Sequence, residues 1–203
     1  MPRGSGKTSL VITAAQWAAL FGHRSFLFLI AVSDSKAKQL IDVLKMDLTT
    51  NELLFEDFPE VCHPIRKLEN KSIKTKAQTF KKKFTSCQWA QNRVVLPDIP
   101  KSMSRQCIFQ SAGITSGEIR GAIYTTPSGE MRRPDMVLLD DPQDDEVALS
   151  LAQCEKRERL IDGAVLGMAG PTTQISAFMT CTIIADGDLS STYLSRKKKP
   201  EGR

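Results

Sequence analysis

Apolar residues fall along this chain in blocks, each bounded by turn-forming residues. Residues 8–21 (TSLVITAAQWAALF) are apolar on nearly all sides, which predicts a helix packed against a sheet, with Gly22 as its C-cap. Residues 25–32 (SFLFLIAV) are a continuous apolar run of strand length, the pattern of a strand covered on both faces. Ser33 or Asp34 can cap the next helix, in which Leu40, Ile41, Val43, Leu44 and Leu48 recur at helical spacing. Loop, helix, strand and helix in that order begin a parallel, doubly wound α/β sheet.

Beyond position 50 the pattern weakens. Residues 51–75, with Pro59 and Pro64, read as an irregular connection plus a short helix. Residues 77–80, 85–89 and 93–96 read as short strands, with the KKK run at 81–83 as a hairpin turn between the first two. Residues 106–112 are a further strand, and 136–139 form a short apolar strand that runs into Asp140 and Asp141. Residues 144–166 read as helical, and 174–185 (QISAFMTCTIIA) as a final strand rich in β-branched residues. Trp17 and Trp89 lie in apolar patterns and are expected in the core. One domain then covers 1–190, and 191–203 are a basic tail or the start of a linker.

Composition sets limits. The 203 residues, 41% hydrophobic and 25% charged, suffice for one α/β domain with its own core. No run of about 18 apolar residues predicts a transmembrane helix, and MPRGSGKTSL lacks the layout of a signal peptide. Cys62, Cys87, Cys107, Cys154 and Cys181 are far apart with no CxxC pair, which argues against a zinc site or disulfide framework and fits a reducing compartment. His23 and His63 have no metal-ligand spacing and read as structural or surface residues. The net charge of +5 is compatible with a nucleic-acid partner without establishing one.

The chemistry lies at the start. RGSGKTS supplies Gly4, Ser5, Gly6, Lys7, Thr8 and Ser9, the closing part of a Walker A phosphate loop. In such a loop glycines let backbone N–H groups wrap a phosphate, the lysine reaches the β- and γ-phosphates, and the Ser/Thr hydroxyl binds Mg²⁺. The motif's opening glycine would fall at Met1, so the expectation is a chain truncated at its N-terminus, lacking the strand before the loop. PDMVLLDDPQ adds a Walker B pattern: Asp140 would hold Mg²⁺, and Asp141 stands where a carboxylate orients or deprotonates the attacking water. Each motif alone can be a turn, a Gly/Ser loop or an acidic strand end. Together they predict a P-loop NTPase: a three-layer α/β sandwich of the additional-strand Walker B type, with its Walker B strand beside the P-loop strand.

The chain resembles the ATPase half of the large terminase subunit of tailed phages, and the likeness runs almost end to end. PRGSGKTSL is similar to that family's arginine-bearing Walker A, and RPDMVLLDDPQDDE to its Walker B region. FPEVCHPIRKLE, RVVLPDIP and AGITSGEIRGA resemble segments between the two motifs. MTCTIIADGDLSSTYLSRKKKPEG resembles the coupling motif and the stretch after it. The resemblance implies ATP and Mg²⁺ as cofactors, with Lys7 and Thr8 as phosphate and Mg²⁺ ligands. It implies Arg3 as the Walker A arginine, Arg120 as an arginine acting in trans on a neighbouring subunit's ATP, and Thr180, Cys181 and Thr182 as the coupling motif. It also implies duplex DNA as partner, a homo-oligomeric ring, a procapsid portal, a small terminase subunit, no membrane, and the host bacterial cytoplasm as location. The family's nuclease acids have no counterpart here; Asp144, Asp145 and Glu146 read as a helix N-terminus.

Lys81, Lys82, Lys83, Arg132, Arg133 and Lys197–Lys199 are candidates for DNA contact, though residue by residue a solvated surface charge is the better reading. Two alternatives to the packaging motor stay open: a helicase-like P-loop ATPase, and an inactive prophage remnant that keeps the fold.

Overall fold

The computed structural model describes residues 2, 4–170 and 173–195. Its centre is β1 (Phe26–Ala31), buried at every position. A strand with no polar side chain needs cover on both faces, and here it also has a parallel neighbour on each edge. β6 (Ile108–Gly113) pairs with one edge and β9 (Met136–Asp140) with the other. β10 (Ser176–Thr180) pairs in parallel with β9. Short β5 (Arg93–Val95) and β4 (Gln88–Trp89) extend the sheet antiparallel beyond β6, giving the order β10-β9-β1-β6-β5-β4.

Alternation along β1 divides the core in two. Leu27 and Leu29 face α1 (Lys7–Leu20) and α2 (Asp34–Thr50), meeting Val11, Ala15, Ile41 and Leu44. Phe26, Phe28 and Ile30 face the opposite layer, meeting Ile161 and Val165 of a π-helical turn (Leu160–Val165) and Leu189. Each of these large side chains stabilises the fold by roughly 1.5–3 kcal/mol on burial. The π turn continues α6 (Leu151–Arg159), which α5 (Asp145–Ala148) precedes, and Leu189 opens α7 (Leu189–Leu194). The α/β class and the mostly parallel sheet flanked by helices are therefore as the sequence predicts.

Local chemistry sets the joins. The Ser33 hydroxyl caps α2 by accepting from the Lys36 N–H at 3.3 Å, and Asp34 Oδ1 accepts from the Gly113 N–H at 2.7 Å. Gly113 can only be glycine: a Cβ there would lie 2.5 Å from the Asp34 nitrogen.

Several details differ from expectation. β9, the strand expected to carry Walker B, has β1 and β10 as its two neighbours, so the expected P-loop strand has no place beside it. Strand order is a tertiary choice that periodicity does not encode. Residues 51–75 hold two helices, α3 (Glu52–Asp57) and α4 (Pro59–Arg66), before a 3-10 turn at Ser72–Ala77. The hairpin turn is Lys81 and Lys82 alone, between β2 (Thr79–Phe80) and β3 (Lys83–Phe84). A second hairpin joins β7 (Tyr124–Thr125) to β8 (Met131–Arg132). β10 stops at Thr180 instead of continuing to 185, and α7 runs across the 190/191 boundary. Trp89 is buried as expected, but Trp17 is 55% exposed, beside Leu10 and Phe21 on an uncovered side of α1.

Candidate functional site

Gly4 and Gly6 have φ of 78° and 76°, the left-handed region that glycine enters without penalty. Gly6 is the N-cap of α1 and has no side chain to cap it, and the first turn holds no acidic residue. The positive end of a helix of 14 residues is thus left open to an anion.

Lys7 follows at once and is only 7% exposed. Its Nζ donates to Thr182 Oγ1 at 2.7 Å and to the Pro2 carbonyl at 3.3 Å, and lies 3.3 Å from Asp141 Oδ2. Thr8 Oγ1 donates to Asp140 Oδ2 at 2.6 Å. The parallel register places Asp140 opposite Thr180, whose Oγ1 donates to the other Asp140 oxygen at 3.0 Å. Asp141 accepts from the Thr182 N–H at 3.0 Å. Lys7, Thr8, Asp140, Asp141, Thr180 and Thr182 therefore meet at the C-terminal ends of β9 and β10, where ligands bind in open α/β sheets.

Asp141 has φ of 42°, a left-handed backbone that side chains other than Gly, Asn and Asp rarely adopt. That turn carries its carboxylate from the end of β9 to the mouth of a hollow of about 380 Å³, lined also by Gln143, Thr182, Ile184 and Asp144. Ser5 and Ser9 are exposed, and Ser5 Oγ donates to the Pro2 carbonyl at 2.8 Å. Cys181, between the two threonines, is half-buried, and burial first, then Asp141 and Asp188, pushes its thiol up to about 11. A thiol held that high stays protonated at neutral pH.

Asp140 and Thr8 present hard oxygens of the kind Mg²⁺ takes. Among the described residues no group of three or more His, Cys, Asp or Glu could cage a metal. The pair fits Mg²⁺ as nucleotide enzymes hold it, on one or two protein oxygens plus water and substrate phosphates.

Arg120 is not in this cluster. It lines a separate hollow of about 410 Å³ with Arg133 and Arg159, and none of the six converging residues lines it. Arg132 is engaged at home, donating to the Gln106 carbonyl at 3.1 Å and to Glu130 at 2.9 Å. Arg3 and Lys197–Lys199 lie outside the described residues.

Sequence reasoning missed a buried polar knot behind the site. Gln143 Nε2 donates to the Thr182 carbonyl at 2.8 Å and to Asp188 Oδ2 at 2.9 Å, while Gln143 Oε1 accepts from the Leu189 N–H at 3.0 Å. Asp188 is fully buried and also accepts from the N–H groups of Ile184, Ala185 and Ser191. The only signal in the sequence was an Asp followed by Leu-Ser-Ser, an N-cap pattern. Comparison with protein-family models and with curated proteins finds no match to this chain.

Proposed function

We propose that this chain is the ATP-hydrolysing motor domain of a phage terminase large subunit, driving duplex DNA into procapsids. The observation that carries the nucleotide half of this reading is the meeting of Lys7, Thr8, Asp140 and Asp141 at one end of the sheet, with the uncapped N-terminus of α1. The resemblance of the intervening segments carries the DNA-packaging half.

In this reading the loop at Gly4–Gly6 and the end of α1 receive the phosphates. Lys7 leaves Asp141 and Thr182 for the β- and γ-phosphates, freeing both for the attacking water. Asp141 orients that water and draws its proton as the oxygen attacks the γ-phosphorus and ADP leaves. Thr8 and Asp140 would hold Mg²⁺, whose charge would offset that of the phosphates. Thr180 and Thr182 sense whether the γ-phosphate is present, and Arg120 completes the site of the next subunit in a ring. The portal, the small terminase subunit and the host cytoplasm are inferred from the same resemblance. No helix among the described residues is long and apolar enough to cross a membrane.

The test is ATP hydrolysis by the full chain, with and without duplex DNA. Lys7→Ala is expected to cut turnover by about 10²-fold or more, and Arg120→Ala by about 10³-fold. Mixing the two inactive variants should restore part of the activity, because a subunit with intact Lys7 then meets a neighbour with intact Arg120. No recovery on mixing would remove the trans role, and no turnover from the folded wild-type chain would favour the inactive remnant.

A further inference from the structure

The charge of this chain is unevenly placed. Residues 66–105 hold 11 Lys and Arg against 2 Asp and Glu, a net +9, so the rest of the chain is net −4. Its β4 and β5 form the sheet edge opposite β10, and its β2–β3 hairpin is a separate two-stranded sheet. Five strand spacings separate the two edges, roughly 24 Å, so the basic segment is not part of the nucleotide site.

Six side-chain-bearing residues of the segment have left-handed backbone: Glu69, Asn70, Ser86 and three lysines. Lys81, Lys82 and Lys101 have φ of 49°, 64° and 73°. Lys81 and Lys82 are the two central residues of the hairpin turn, which demands left-handed backbone at both and favours Asn-Gly. Lysine is not a residue that such a turn favours, although Lys81 Nζ lies 5.5 Å over the Phe80 ring, and backbone outliers concentrate at functional sites. Lys81, Lys82, Lys83, Lys76 and Lys101 are exposed and make no ion pair among the described residues. Lys81 and Lys101 line a hollow on one side of the hairpin, and Lys76 lines a hollow with Phe84 of β3.

We infer that the β2–β3 hairpin, with Lys76 and Lys101 at its sides, binds the phosphodiester backbone of double-stranded nucleic acid, DNA in the reading above. Lysines are point charges suited to a repeated phosphate backbone and carry no base readout. A single-stranded site would need a row of stacking aromatics. Here Trp89 is buried and Phe84 is the one strongly exposed aromatic of the segment. The inference deepens the motor reading by placing its polyanion. It is tested without nucleotide, so a chain that hydrolyses no ATP can still pass.

The experiment measures binding of the full chain to a fluorescent duplex DNA of mixed sequence across a salt series. The variant Lys81→Asn/Lys82→Gly/Lys83→Thr suits the turn better than the native residues, so its melting temperature should be equal or higher. Its affinity should fall at least about tenfold, and its log affinity–log salt slope should lose about 2–3 units, near 0.9 per lost phosphate contact. A control, Lys36→Ala/Lys156→Ala/Arg159→Ala, removes the same charge elsewhere and should change both little. Duplex RNA separates the two sources of the backbone, and tighter binding to it than to DNA would overturn the assignment to DNA. Wild-type affinity in the hairpin variant, an equal loss in the control, preference for single strands, or equal competition by polyglutamate would each overturn the proposal.

Discussion

Asp141 occupies a backbone conformation that costs a Cβ-bearing residue about 1 kcal/mol relative to glycine. Two substitutions separate that strain from its chemistry. Both Asp141→Gly and Asp141→Ala remove the partner of Lys7 and should lose turnover, and Asp141→Ala should be less stable than the glycine variant by about 1 kcal/mol. Chemical denaturation beside an ATPase assay reads both effects, and equal stability of the two variants would dismiss the strain. The sequence showed Asp140 and Asp141 as adjacent acids after an apolar strand. It could not show that Asp140 stays in the ladder, hydrogen-bonded to Thr8 and Thr180, while Asp141 swings out to Lys7. A change of φ between neighbours leaves no mark on composition. Trp17 departs from expectation for a related reason: an all-apolar helix has one side covered by the sheet, and its sequence does not say which.

At the scale of elements, the turn between β10 and α7 depends on Asp188. Burial alone would raise its carboxyl, but hydrogen bonds from Ile184, Ser191, Gln143 and Ala185 outweigh burial and hold it below the usual aspartate value. A carboxyl with a depressed folded-state pKa stabilises fully above its unfolded value, and that contribution is lost as pH falls through the folded one. Asp188→Asn should therefore cost stability by an amount constant from about pH 8 to 5 and shrinking below about 4. Asp188→Ala leaves buried donors unpaired and should cost about 3 kcal/mol, with faster amide exchange in α7. Unchanged exchange there would show that the knot does not hold the helix. The same knot explains why β10 is shorter than its β-branched run. Residues 181–185 are more β-branched than β10 itself, yet the N–H groups of Ile184 and Ala185 turn to Asp188 instead of a strand partner. The strands β1 and β9 were legible because buried parallel strands need apolar runs, and β6 less so because it carries Gln110 and Ser111; the two-residue β2 and β3 have no such requirement, and β3 was missed.

For the whole molecule, one edge of the sheet and apolar side chains on one side of a helix are exposed among the described residues. β10 is an edge strand, and Leu10, Trp17 and Phe21 are 45%, 55% and 48% exposed on α1. Open edges and apolar patches of this kind drive self-association. Sedimentation velocity should show mass rising with protein concentration, and Trp17→Lys should reduce it without lowering the melting temperature. A concentration-independent monomer would contradict this. The separation of a net +9 segment from a net −4 remainder has a kinetic side. A molecule charged in this way is a dipole, and in the field of a polyanion it turns before it touches. Encounters then begin with the β4 edge foremost, and added salt slows arrival more than it hastens departure. A chain that lands in that attitude keeps the ends of β9 and β10 turned toward bulk solvent, so small molecules can enter and leave that pocket while the polyanion stays bound.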